Sequence, residues 1–159
     1  MDLETGKRIF YLYNGSTFFI DREVGSLYKK CKVPVEIEQT WRKDIIDTLK
    51  RKVAISKGKE LVSSTIGLTQ LLQDNDALGI FKSILARKDL DTFTRLIICE
   101  MLKERFKKSE QFTKEILKRN QLLMMENLKT VDSSYKKDPR FKNYNFRQSF
   151  ENRLPLLTQ

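Results

Sequence analysis

The sequence predicts a mainly α-helical fold, a small helical-repeat or helical-bundle domain with an N-terminal β-hairpin. Three observations carry this expectation. From Val35 to about Ser56, the residues Ile37, Trp41, Ile45, Leu49 and Val53 recur every four positions, the spacing that keeps side chains on one face of an α-helix. From Lys59 to Leu128 apolar residues continue at helical spacing, and Ser63 to Leu85 and Thr94 to Leu117 read as two copies roughly 31 to 32 residues apart. Near the N-terminus, two runs of aromatic and β-branched residues flank Asn14-Gly15.

Residues 8–21 read as the hairpin. Arg8 to Tyr13 and Ser16 to Asp21 form the strands, and Asn14-Gly15 best tolerates the two positive φ angles of a type I′ turn. That register sets Tyr11 opposite Phe18, Phe10 opposite Phe19, and Arg8 against Asp21 as a closing ion pair. Neither face of the hairpin is polar, so it is expected to lie against helices and to offer its second face to the C-terminal segment, another protein or a second copy of the chain, as a homodimer. Asp21 to Lys32, interrupted by Gly25 and stopped before Pro34, reads as a short helix at best, acting as a connector. Residues 35–56 then form a long amphipathic helix with Trp41 in the core, ended by Ser56-Lys57-Gly58.

In the first copy Leu61, Thr65, Ile66, Leu68 and Leu71 form one helix, and Asp74 or Asn75 caps the partner carrying Leu78, Phe81, Ile84 and Leu85. The second copy sets Ile97 on Ile66, Cys99 on Leu68, Leu102 on Leu71, Phe112 on Phe81, Ile116 on Ile84 and Leu117 on Leu85. Asp89 or Asp91, and then Ser109, stand where N-caps are needed. The helix from Ser109 to about Lys129 holds Leu122, Leu123, Met124 and Met125 in succession, nearly a full circuit of a helix. Burial within the domain is the preferred reading of that run, and an adaptable partner surface is the alternative.

The pattern LLQDNDALGIFKSILARKDLDTFTRLIICEML resembles HEAT-type helical repeats over residues 59–128. The resemblance implies stacked helical pairs that bind a partner along their concave face. Only two copies fit, fewer than such stacks need, so the Trp41 helix, the hairpin and the tail are expected to cap the stack and to hold any function.

Composition bounds the rest. With 159 residues, 40% of them hydrophobic and 33% charged, one soluble domain spanning 1–159 is expected. The apolar run Ile9 to Tyr13 is too short for a signal peptide or a membrane span, and Cys31 and Cys99 stand alone. A reduced, cytoplasmic setting without membrane contact follows as the expectation. The chain carries 31 basic and 21 acidic residues, a formal +10, and residues 103–159 supply most of that surplus. Such a field attracts polyanions and acidic protein partners alike.

Catalytic chemistry is poorly provided for. The sequence has no histidine, so Ser-His-Asp, Cys-His and histidine-zinc arrangements fall away. It also lacks GxxxxGK[ST] and GxGxxG loops. Asp44 with Asp47, and Asp89 with Asp91, read as caps or solvated helix faces. Cys31 lies between Lys30 and Lys32 without a base, and Cys99 reads as core. No catalytic, cofactor-binding or metal-binding residue is assigned, no cofactor is expected, and the chain is read as a protein other than an enzyme.

The C-terminal segment, residues 131–159, is the best contact surface in the sequence. Lys136, Lys137, Arg140, Phe141, Lys142, Tyr144 and Arg147 interleave cations with rings, joined by Tyr135, Phe146, Phe150 and Arg153. Such rings either stack on unpaired bases while the cations neutralise phosphates, or dock on the helices. Docking is preferred, because no RNP, KH or helix-turn-helix signature is present. Leu154, Leu156 and Leu157 form a latch onto the domain or a peptide for a partner. Two functions remain. One is a non-enzymatic binding or regulatory module that recognises another protein through its helical stack, hairpin or tail, with Tyr11 and Phe18 at the hairpin. The other is a nucleic-acid-binding protein that uses the basic, aromatic C-terminal third.

Overall fold

Capping side chains start the first two helices. The Thr5 backbone N–H donates to Asp2 at 2.9 Å and opens α1 (Leu3–Leu12), and the Phe19 N–H reaches the Ser16 hydroxyl at the start of α2 (Thr17–Lys30). In the computed structural model, which describes residues 1–159, no strand forms, and the hairpin expected over 8–21 is corrected to a pair of helices. Asn14 and Gly15 do adopt positive φ angles, 50° and 68°, but a left-handed pair also ends a helix and reverses the chain. The flanking periodicity decides between the two. Gly6, Ile9 and Phe10 lie buried on one face of α1, an i, i+3, i+4 set that strand alternation cannot produce. Arg8 accordingly lies 3.8 Å from Glu4, one turn back, and the cross-strand pair with Asp21 does not form.

The chain divides into two compact units. The first comprises residues 1–54 and 64–73 and holds α1, α2, most of α3 (Val35–Ile55) and the later part of α4 (Gly58–Gln70). The predicted stripe is its spine, since Trp41, Ile45, Leu49 and Val53 are all buried. The Phe10 ring packs on Trp41 at 5.6 Å and on Tyr28 at 6.3 Å, with the Arg42 guanidinium 5.3 Å from its centroid. Tyr28 donates its hydroxyl to Glu38 at 2.6 Å and ties α2 to α3. Most of the short connecting helix expected over 21–32 is the later part of α2, which starts earlier, at Thr17, and bends at Val24 where φ is −142°.

The second unit comprises residues 55–63 and 74–159 and is organised around α6 (Thr92–Arg105). Eight residues of α6, Phe93, Arg95, Ile98 and Cys99 among them, are buried. They are covered because α5 (Asp74–Leu85), α7 (Lys114–Met125), α9 (Phe146–Arg153) and the closing 3-10 turn Leu154–Thr158 all pack on that helix. Asp91 caps α6, accepting from the Thr94 backbone N–H at 3.0 Å. Ser109 caps nothing: with φ −136° it breaks a 3-10 stretch, Lys107–Phe112, and α7 begins only at Lys114, which shortens the expected helix. The stretches read as two copies fall on α4–α5 and α6–α7. Leu68 and Cys99 are both buried, as are Leu85 and Leu117, whereas Phe81 is buried and Phe112 exposed.

The start of α4 is fastened within this unit. Gly58 has φ +52°, and a Cβ there would lie 2.3 Å from Ser134 Oγ and 2.5 Å from Asp132 Oδ1, both at the start of α8 (Ser133–Lys137). The C-terminal leucines divide. Leu154 and Leu157 are buried and Leu156 is exposed, while Gln121 donates to the Leu154 carbonyl at 2.7 Å and Lys103 to the Gln159 carbonyl at 3.0 Å. No helix is long and apolar enough to cross a membrane.

Candidate protein-binding surface

The rings of the C-terminal segment converge on one residue of α6. Around Phe93, the centroids of Tyr135 and Phe146 lie at 4.9 Å, those of Tyr144 and Phe150 at 5.9 Å, and that of Phe141 at 6.3 Å. Most of these pairs meet at steep angles, the arrangement that places a positive ring edge on a negative ring face. Tyr135 and Phe150 are buried. The Tyr135 hydroxyl lies 3.2 Å from Thr94 Oγ1, and burial pushes its pKa up to about 12. Tyr144 keeps an exposed edge, but its hydroxyl is shared with Ser149 at 2.6 Å. Stacking on bases needs open ring faces. These rings are largely engaged with one another.

The cations beside them separate into two groups. The Arg153 guanidinium lies 5.5 Å from the Phe93 centroid and binds Glu100 at 3.0 Å and Ser149 at 2.9 Å. Arg140 binds Asp138 at 2.8 Å, and Lys59 meets the same carboxylate at 2.6 Å. Hydrogen bonds from Arg140 first, and then from Lys59, hold the Asp138 carboxyl well below the usual carboxylate range. Arg147 pairs with Glu151 at 3.1 Å. Lys136, Lys137 and Lys142 are exposed, and no salt bridge engages them.

Tyr11 and Phe18, expected to face each other, do not form a pair. Tyr11 sits edge-on to Trp41 at 6.4 Å, while Phe18 is exposed and meets Phe19 at 5.2 Å, with the Arg22 guanidinium 5.9 Å from its centroid. Both residues belong to the first unit.

The largest uncovered apolar run lies on α7 in the second unit. Of the four consecutive residues only Met124 is buried, at 1% exposure, whereas Leu122, Leu123 and Met125 are 55%, 49% and 58% exposed. Burial within the domain, the preferred expectation for this run, is therefore corrected for three of the four. The reason is geometric. Leu117, Asn120 and Met124 fill the contact face of α7, and at about 100° per residue their neighbours must project to either side. Clefts of about 450 Å³ flank the helix on both sides. One is lined by Gln121, Met125 and Leu128 with Phe150, Leu154 and Pro155. The other is lined by Ile116, Arg119 and Leu123 of α7 with Lys82, Leu85 and Ala86 of α5 and its end. The run of four apolar residues was the signal for this surface, but the clefts and the α5 contributions were not readable from local spacing.

Beneath the second cleft lies a polar node. Arg95 is 5% exposed and donates to the carbonyls of Leu85 at 2.7 Å and Arg87 at 2.8 Å and to Asn120 Oδ1 at 2.9 Å. Asn120 in turn donates to the Ile116 carbonyl at 2.8 Å, which orients its amide. Burial depresses the Arg95 pKa and pushes the neighbouring Cys99 thiol up to about 12. A thiol so placed is a poor nucleophile. Asp91 is occupied as a cap and Asp89 by Arg87 at 2.8 Å. No protein-family model matches the sequence, and no curated protein or solved structure resembles it at a significant level.

Proposed function

We propose that this chain is a non-enzymatic, cytoplasmic binding module that recognises another protein through α7. The supporting observation is the exposed run Leu122, Leu123 and Met125 between two apolar clefts. Large contiguous apolar surface is unfavourable in a monomer and marks sites of contact, and unbranched Met side chains adapt to varied partners. The packed α6–α7 pair acts as scaffold, as one helical pair of a HEAT-type repeat would. The cytoplasmic assignment rests on two separate thiols, Cys31 and Cys99, both buried. The test is affinity capture from the source cells with the native chain and with a Leu122→Asp, Met125→Asp variant whose thermal unfolding matches the native chain. A protein retained by the first and lost by the second is expected, and identical captured sets would refute the reading.

A second reading has its own observation, the exposed Lys136, Lys137 and Lys142 close together in the chain. Three such cations suit phosphate contacts, and binding through them would weaken steeply with salt. A mobility shift of labelled single-stranded RNA that disappears in a Lys136→Ala, Lys137→Ala, Lys142→Ala variant would support it. No shift at low salt would eliminate it.

A further inference from the structure

Resting on the reading of α7 as a recognition face, we infer that the cleft between α5 and α7 docks an acidic amphipathic helix of the partner protein. Leu85, Ala86, Ile116 and Leu123 form its apolar lining. Asn120, the neutral polar residue at the cleft, has its amide occupied by Arg95 and the Ile116 carbonyl. The only charged residues of the lining are Lys82 and Arg119, both exposed and neither in a hydrogen bond or ion pair. No carboxylate lines the cleft. The opposite flank of α7 differs, since its one charged residue, Glu151, is already paired with Arg147.

This charge pattern selects the occupant. An apolar ligand would leave Lys82 and Arg119 without a role, and a nucleic-acid backbone would leave the apolar lining against water or phosphate. A helix with apolar residues at i, i+3, i+4 and i+7 and carboxylates beside them satisfies both, which is the helix-in-groove mode of recognition. Positive cleft edges facing acidic side chains also raise the association rate and exclude basic helices. A volume of about 450 Å³ accommodates bulky aliphatic side chains from such a helix.

The probe is a fluorescein-labelled peptide with Leu at i, i+3, i+4 and i+7 and Glu at the positions flanking that stripe, titrated against the full chain by anisotropy. A matched peptide with Lys in place of Glu is the control. The Glu peptide is expected to bind, to weaken as salt rises, and to lose about tenfold or more in affinity to a Lys82→Glu, Arg119→Glu variant. That variant should bind the Lys peptide instead, a gain that a misfolded protein would not show. Leu123→Asp should abolish both interactions. Equal binding of the two peptides to the native chain, no effect of charge reversal, or displacement of the Glu peptide by a single-stranded oligonucleotide would overturn the proposal. Self-association of the chain through this cleft, seen by sedimentation and removed by Leu123→Asp, would overturn it in favour of a second copy. If the captured partner is lost with Leu122→Asp, Met125→Asp but kept with Lys82→Glu, Arg119→Glu, this inference fails and the binding-module reading stands.

Discussion

Replacing Arg95 with Met tests whether a buried cation holds the second unit together. The guanidinium makes three hydrogen bonds, to the carbonyls of Leu85 and Arg87 just beyond α5 and to Asn120 of α7. In this way α6 cross-links both neighbours. Bonds from a charged donor contribute about 1.5 kcal/mol each at the low end, so their sum is about 4.5 kcal/mol. Methionine preserves much of the apolar stem and removes the cost of burying a charge, which offsets part of that loss. The expected destabilisation is about 3 kcal/mol, or a fall of roughly 6 to 12 °C in Tm for a chain of this size. Urea unfolding should be followed by far-ultraviolet circular dichroism, which reads the helices of the second unit directly, whereas the single tryptophan, Trp41, belongs to the first. In a double-mutant cycle, Arg95→Met and Asn120→Leu should be markedly less than additive, since each removes the same bond. A change below about 1 kcal/mol, or strict additivity, would refute the argument that this node joins α5, α6 and α7.

Four further perturbations probe the packing. Phe93→Ala removes the ring on which five others converge and should cost about 3 to 5 kcal/mol in urea unfolding, with loss of near-ultraviolet dichroism. Asp138→Asn should destabilise the chain at neutral pH but have a shrinking effect in acid. The folded Asp138 pKa is depressed, so the stability it contributes is present above the unfolded value of about 3.9 and is lost as pH falls through the folded value; a constant difference between variant and native chain down to acid would contradict this. Gly58→Ala meets both a left-handed φ and the Ser134 and Asp132 side chains and should cost about 2 kcal/mol or more. By contrast Gly79→Ala, with open space around it inside α5, should stabilise by about 0.5 to 1 kcal/mol. Equal thermal shifts for the two glycine variants would show that neither local environment has been read correctly.

The parts of the fold legible in the sequence are those in which one face meets one core. The four-residue recurrence of Trp41, Ile45, Leu49 and Val53 describes a helix with a single buried stripe, and the residues are buried as that stripe requires. Asp91 before Thr92 was readable because capping depends on neighbours only a few residues away. The N-terminal run misled for an equally local reason. Asn14-Gly15 specifies two left-handed residues, which serve strands and helices alike, and the aromatic residues around it favour strands in isolation. The burial of Gly6, Ile9 and Phe10 together on one face outweighed that preference. The docking of the C-terminal rings was anticipated, but their centre, Phe93, lies some forty residues or more before them in the chain, and no local pattern singles it out.

By itself the sequence determined helical class from Val35 onward, the basic surplus, the absence of histidine chemistry and the supply of apolar and aromatic side chains. These follow from composition and short-range periodicity. Only the tertiary structure decided which charges are paired and which apolar faces stay open. Arg140, Arg147 and Arg153 are engaged by carboxylates, whereas Lys82 and Arg119 flank an apolar cleft without partners. Leu122, Leu123 and Met125 remain exposed because Leu117, Asn120 and Met124 already occupy the contact face of α7. Charge pairing and coverage depend on which residues distant in sequence meet in space, and short-range spacing does not specify that.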